Sequence, residues 1–188
     1  MRELVTKNRS FRRFQEDRPI GRQTLLGLAD LARLTPSGGN KQPLKYVLSW
    51  TPEKNTLIFD CLAWAAYLTG WSGPAEGERP AGYILILGDD EIATTIPCDH
   101  GIAAQTIMLG AAEMGLAGCI VGNIKRERLK RDLAIPARYQ VLLALALGYP
   151  RETVVLEEMK GGDYKYWRDE QGVHHVPKRR LSDIILDL

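Results

Sequence analysis

Several signatures of nucleotide and metal chemistry are missing from this chain. No strand-like run is followed by Gly-x-Gly-x-x-Gly, so a Rossmann dinucleotide site lacks its glycine turn, and no Gly-x4-Gly-Lys-Ser/Thr cradle is present. The three cysteines, Cys61, Cys98 and Cys119, are far apart and in no Cys-x-x-Cys spacing. That excludes a thiolate zinc or iron–sulfur framework and points to reduced thiols in a cytosolic protein. No segment approaches the roughly 18 apolar residues of a membrane span. The opening "MRELVTKNRSFRRF" has charges where a signal peptide carries its apolar core, so the expected location is the cytoplasm. Charge of one sign is also scarce: the formal balance of +2 does not by itself call for nucleic acid. There is no internal repeat and no low-complexity tract.

What is present is an ordinary soluble composition. The 188 residues are 45% hydrophobic and 26% charged, enough for one domain with a substantial core. The cations are grouped: Arg9, Arg12, Arg13 and Arg18 near the start, "KRERLKR" at 125–131, and "KRR" at 178–180.

A short helix is expected over 2–8. Leu25, Leu28, Ala29 and Ala32 follow the i, i+3, i+4, i+7 spacing of a helix that Pro36 stops. Tyr46 to Trp50 reads as a strand. Thr51-Pro52 then opens a helix whose apolar side runs through Leu57, Ile58, Cys61, Leu62 and Ala65. "GWSGPAEGERP" (70–80) must be loop, and "GYILILG" (82–88) is a strand covered on both faces. Asp99 is expected to cap a helix running to Met114 and ended by Gly115, with small residues suited to close packing against another helix. A strand over 117–124, a charged helix from Lys125 to Leu133 and a buried strand over 140–150 follow. "VVLEE" and "YKYWRDEQGVHHV" read as a hairpin turning at Asp169 to Gly172, and "LSDIILDL" closes as a helix or strand end. This order favours α+β or a mixed α/β sandwich over a doubly wound sheet.

Three constellations could carry chemistry. In "RSFRRF" (9–14), Arg9, Arg12 and Arg13 surround Ser10, and guanidinium forks suit phosphate and planar carbonyl groups. By itself the segment is equally a solvated basic stretch pinned by Phe11 and Phe14. In "PSGGNKQP" (36–43), the glycines permit close backbone approach, and Asn40 and Gln42 offer donors and acceptors matched to an imide edge. By itself it is equally a connector. "PKRRL" could close on a phosphate or be a basic tail. His174 and His175 should point to opposite strand faces, which argues against one shared metal ion. "GDDE" (88–91) reads as a solvated turn. Trp64, Tyr67 and Trp71 are candidates for a substrate wall or for core.

Taken in order, these pieces resemble the FMN-dependent nitroreductase family over nearly the whole chain. "NRSFRRF" is similar to its arginine–serine motif, and "PSGGNKQPLKYVL" to its Pro-Ser-x-x-Asn-x-Gln-Pro loop. "DHGIAAQTIMLGAAEMGLAGCIVGNI" resembles its central helix and glycine-ended strand, and "HHVPKRRLSDII" its basic C-terminal segment. Asn8 stands where members often carry a second arginine, and Leu44 where many carry tryptophan.

The resemblance implies one flavin-binding domain over residues 1–188: α+β, a nitroreductase-like three-layer α/β/α sandwich with a central mixed, largely antiparallel sheet. It implies an intertwined homodimer with FMN at the interface and the C-terminal segment reaching the partner. Arg9 and Ser10, with Lys178 and Arg180, would hold the FMN phosphate and ribityl region. Arg12 would approach the pyrimidine side, and Asn40 with Gln42 its carbonyl and imide edge. Pro36, Ser37 and Gly38 would come from the other subunit, and backbone N–H groups around Val121 and Gly122 would lie near flavin N5. The implied activity is hydride transfer from NADH or NADPH through FMN to a small organic acceptor such as a nitroaromatic or quinone, in ping-pong order. No catalytic side chain and no metal are required. Two other readings stay open: a flavin-binding or flavin-modifying protein without NAD(P)H turnover, and a nucleic-acid binder using "RSFRRF" and "KRERLKR". Glu127 and Asp132 interleave the second run, as on a solvated helix face.

Overall fold

The computed structural model describes residues 1–187. The expected short first helix is α1 (Arg2–Lys7), and the first amphipathic helix is α2 (Arg22–Arg33). Strand β1 (Leu44–Ser49) leads into α3 (Pro52–Phe59), with Thr51 at the N-cap position and Pro52 at the first helical position. Then come β2 (Gly82–Asp89), α4 (Asp99–Glu113), β3 (Ala117–Val121), α5 (Arg126–Asp132) and β4 (Tyr139–Gly148). The chain continues through β5 (Val154–Glu158), β6 (Trp167–Arg168) and β7 (His174–Lys178).

The main sheet has the order β1-β2-β4-β3 and is antiparallel throughout. Alternation along β2 sorts the core into two layers. Ile84 and Ile86, with Leu145 and Leu147, pack under α2 and α4. Tyr83, Leu85 and Leu87 pack on the other face with Ile58 of α3 and Leu129 of α5. The result is the expected α/β/α sandwich. A bulge at Leu142 slips the register between Ile86 and Leu87, which turns Val141 to the α3/α5 face. The small residues of α4 serve close packing as expected: Leu28 and Leu31 of α2 lie directly over Gly110.

Three expectations are corrected. Helix α3 stops at Phe59, because the backbone beyond it pairs elsewhere: Leu62 bridges Ile124, and the Ala63 N–H donates to the Asn123 carbonyl at 3.0 Å. "VVLEE" is not the hairpin partner of "HHVPK": β5 runs parallel to β7, and the hairpin at Asp169–Gly172 joins β6 to β7 in a second sheet of order β5-β7-β6. The "GDDE" turn is not wholly solvated either: Asp89 is buried, accepts the Glu91 N–H at 3.2 Å and lies 3.6 Å from Arg138. The segment after β7 is a single turn, Leu181–Asp183, and its apolar side chains Leu181, Ile184, Ile185 and Leu186 are exposed.

Candidate functional site

The segment carrying Arg9, Ser10 and Arg12 is laid along the free edge of β3. Ser10 forms a parallel bridge with Gly118, and the Phe11 N–H donates to the Gly118 carbonyl at 2.9 Å. Glycine is needed there: a Cβ on Gly118 would meet the Ala146 carbonyl oxygen at 2.6 Å and Met108 Cε at 2.8 Å. Phe14 anchors the far end, fully buried and packed against Gly148. Arg13 is committed to structure through a two-pronged ion pair with Glu78. Glu152, whose side chain is 1% exposed, accepts the backbone N–H of Arg12 and of Arg13 and pairs with Arg168 at 2.8 Å.

These tethers hold Arg9, Ser10 and Arg12 at the mouth of a cleft of about 260 Å³, with Asn8 beside them. Gln105 and Met108 of α4 and Ile120 of β3 line it, and β7 supplies a wall through His174, Val176 and Lys178. The period-two alternation of a strand puts His174 inside and turns His175 outward. There His175 contacts Glu157 at 2.8 Å and Asp169 at 3.0 Å and stacks on Trp167, so the two imidazoles face opposite sides as expected. A second hollow of about 180 Å³, lined by Trp64, Val121 and Gly122, shares Arg12 and Ile120 with the first.

Arg12 is the hinge of the arrangement. Its guanidinium lies 4.7 Å from the Tyr166 ring centre, and Nη1 donates to His174 Nε2 at 3.1 Å. Because arginine cannot accept, His174 must be neutral with its proton on Nδ1. Burial, then the nearby charges of Arg12 and Arg168, push His174 down to about 4, consistent with that state. Its Nδ1 is buried without a partner. Arg9 is similar: Nη2 donates to the Val5 carbonyl at 2.6 Å, Nε is buried without a partner, and no carboxylate lies within ion-pair reach among the described residues. Burial with no neighbouring acid lowers its pKa. A cation and a neutral imidazole that line one cleft, each with an unpartnered donor, fit an anionic, acceptor-rich ligand such as a phosphate-bearing cofactor.

The loop at 36–42 lies elsewhere in the chain. It precedes β1, the opposite edge of the sheet from β3, about 14 Å away across three strand spacings. Pro36, Ser37 and Gln42 line a separate hollow of about 130 Å³ with Asp99. The loop is shaped rather than slack. Gly39, Asn40 and Gln42 all take positive φ, at 57°, 54° and 52°. Asp99 clamps it by accepting the Ser37 hydroxyl at 2.6 Å and the Gly38 N–H at 3.1 Å, which leaves Asp99 buried and lowers its pKa. Asp99 was expected to cap α4; its carboxylate is instead spent on the loop, and Cys98 holds the N-cap position without a side-chain bond. Gly38, Asn40, Lys41 and Gln42 stay exposed.

Lys178 reaches the cleft but Arg180 does not: it pairs with Glu158 on the second sheet. The "KRERLKR" helix is largely occupied with its own fold. Arg126 donates to the Val141 and Gly122 carbonyls, and Arg128 pairs with Asp132. Tyr166, His174, Gln105 and Glu152 were missed by sequence reasoning; the only cue was the period of "HHVPK", which places His174 on the same face as Lys178. Of the aromatic candidates, Trp64 lines the second hollow, Tyr67 packs edge-on against Tyr166, and Trp71 sits under Arg168.

Comparison with known proteins agrees with this architecture. A model described as the nitroreductase family matches residues 63–149. The chain is 26% identical over 184 residues to a 5,6-dimethylbenzimidazole synthase of Rhodospirillum rubrum, covering 84% of this chain and 85% of that one. Among solved structures, a nitroreductase family protein of Streptococcus pneumoniae superposes with a TM-score of 0.69 at 16% identity, over 99% of this chain and 98% of that one. An FMN-dependent nitroreductase of Clostridium difficile superposes at 0.65 with 23% identity, over 87% and 92%. The central segment is thus similar to the nitroreductase family, and the chain has the fold of solved nitroreductase family proteins.

Proposed function

We propose that this protein is an FMN-dependent oxidoreductase that passes reducing equivalents from NADH or NADPH to a small organic acceptor. The observation that carries the reading is the cleft beside β3, where Arg9, Ser10, Arg12 and Lys178 converge and, among the described residues, no carboxylate pairs with Arg9. Arg9, Ser10, Arg12 and Lys178 would hold FMN there, and the cofactor would supply the hydride and electron-transfer chemistry for a nitroaromatic, a quinone or a similar planar acceptor. Arg9, Ser10 and Lys178 are assigned to its phosphate and ribityl region. Arg12, held on Tyr166 and His174, is assigned to the pyrimidine side, where a fixed cation favours the negative charge that appears on reduction. Backbone N–H groups at Val121 and Gly122 are assigned to the N5 region. Trp64 and Tyr67 are assigned to the acceptor wall.

The whole chain is read as one flavin-binding domain, active as a homodimer. Within one chain, Pro36, Ser37, Gly38, Asn40 and Gln42 stand at the opposite sheet edge from Arg9, so a site using both groups is completed by a second subunit. Exposed apolar groups support pairing: Ile102 on α4, Leu31 and Leu34 by α2, and the tail from Leu181 to Leu186. In that reading Arg180, paired with Glu158, belongs to the tail that reaches the partner. Free thiols at Cys61, Cys98 and Cys119 suit a reducing, cytoplasmic setting.

Purified protein should be yellow, retain about one FMN per chain, and lose affinity on Arg12→Ala. A colourless protein that ignores added FMN in titration refutes the assignment. A second reading, flavin binding or modification without NAD(P)H turnover, is favoured by the relative named for 5,6-dimethylbenzimidazole synthesis. Anaerobic stopped-flow mixing separates the two: rapid bleaching of the flavin by NADH or NADPH supports the reductase, and no bleaching supports the alternative.

A further inference from the structure

We propose that a third cavity, sharing no lining residue with the cleft, binds a small planar carboxylate. It has a volume of about 150 Å³ and lies where the 16–19 segment and the 79–81 turn meet β2 and α3. Trp50, Phe59 and Tyr83 supply aromatic walls, and Pro19, Pro52 and Pro80 make three of its sides stiff. Mostly apolar walls with a few convergent polar groups are the usual make-up of a small-molecule site.

The hydrogen-bond accounting decides the ligand's chemistry. Tyr83 is fully buried and its hydroxyl has no partner; burial raises its pKa far above the usual phenol range, so it is a neutral donor. Arg79 also lines the cavity. Its Nε is buried without a partner, no carboxylate lies within ion-pair reach among the described residues, and its guanidinium rests 4.5 Å from the Phe59 ring centre. A guanidinium stacked by its face keeps its N–H edge free for a planar acceptor.

Several acceptors around the cavity already have partners. Glu16 Oε2 takes the N–H of Gly77 at 2.6 Å and of Arg79 at 3.1 Å, Asn55 Oδ1 takes the Ser49 hydroxyl at 2.7 Å, and the Asn55 amide donates to the Ala81 carbonyl at 2.9 Å. Among the described residues, the Tyr83 hydroxyl and Arg79 Nε are left without an acceptor. Glu16 is the one acid on its wall; against it stand Arg79 and, 5.9 Å from the Trp50 ring centre, Arg22. The space is roughly ten times what a single water needs. A flat ring between the aromatic walls, with its carboxylate on Tyr83 and Arg79, satisfies both orphaned donors together.

The test uses fluorine NMR of 4-fluorobenzoate with the full chain, and it does not depend on flavin because no cleft residue takes part. Saturable binding is expected. Tyr83→Phe keeps the ring and removes a donor that has no partner in the fold, so it should fold normally while weakening binding about fivefold. Arg79→Met should weaken it about tenfold or more, and 4-fluorobenzyl alcohol should bind at least about fivefold less tightly than the acid. No saturation, unchanged affinity in either variant, or equal binding of the alcohol overturns the proposal. So does a crystal grown with the probe that shows only water in the cavity.

Discussion

Glu152 is the most informative single residue to perturb, because it ties the two halves of the cleft together without lining it. Its carboxylate accepts the backbone N–H of Arg12 and, at 3.1 Å, of Arg13, both on the segment that carries Arg9 and Ser10. It also pairs at 2.8 Å with Arg168, on the sheet that carries His174 and Lys178. Glu152→Ala leaves two backbone donors and a largely buried guanidinium, 18% exposed, without their acceptor. Removing one partner of a buried, hydrogen-bonded pair costs about 3–5 kcal/mol, so a loss of about 4 kcal/mol is expected. Glu152→Gln keeps the shape and one carbonyl acceptor but not the charge, and should cost about 1–2 kcal/mol. For a chain of this length those losses correspond to falls in Tm of about 12 °C and about 4 °C. Urea denaturation at fixed protein concentration measures both, with unchanged m-values as the control. Flavin titration gives the second readout: both variants should bind FMN more weakly, although Glu152 is not a lining residue. A loss below about 1 kcal/mol for Glu152→Ala, or a larger loss for Glu152→Gln than for Glu152→Ala, would refute the tethering account.

Gly118→Ala forces a methyl to within 2.6 Å of a backbone oxygen in the sheet, so it should cost at least about 2 kcal/mol in urea denaturation and push the Ser10 segment off the edge of β3. Asp99→Ala should free the 36–42 loop, seen as faster amide exchange at Gly38 and Gln42, while exchange in β2 stays unchanged. For His174 the sign of the pH effect follows from its lowered pKa. The unfolded chain binds its proton near the ordinary 6.5 and the folded chain only near 4, so stability falls as pH drops through that window, by about 3 kcal/mol in all. Comparing the pH-stability curve with that of His174→Phe isolates this contribution from His175, whose pKa is raised by Asp169 and Glu157 and which acts in the opposite direction. Curves that stay parallel from pH 7 to pH 4 would contradict it.

The amino-acid order by itself determined the local elements. Continuous apolar runs placed β2 and β4, and period-3.6 patterns placed α2 and α4, because their apolar faces meet a core whichever way the chain is packed. The motifs around Arg9 and Asn40 were legible as short polar stretches, although by themselves they read equally as a basic segment and a connector. Strand partnership was not legible: β5 is parallel to β7 because of where the connection over 159–173, which includes β6, returns in space, and nothing in "VVLEE" encodes its neighbour. Nor did spacing reveal that Asp99 would leave its helix to hold Ser37, or that Glu152 would join residues 140 positions away. Hydrogen-bond partners of buried charges are chosen by proximity after folding. The tertiary structure therefore decided which cations stay unpaired among the described residues: Arg9 and Lys178 at the cleft, while Arg13 and Arg180 are paired away. It also placed the two flavin-like motifs at opposite edges of one sheet, because strand order, not chain order, sets distance across a sheet.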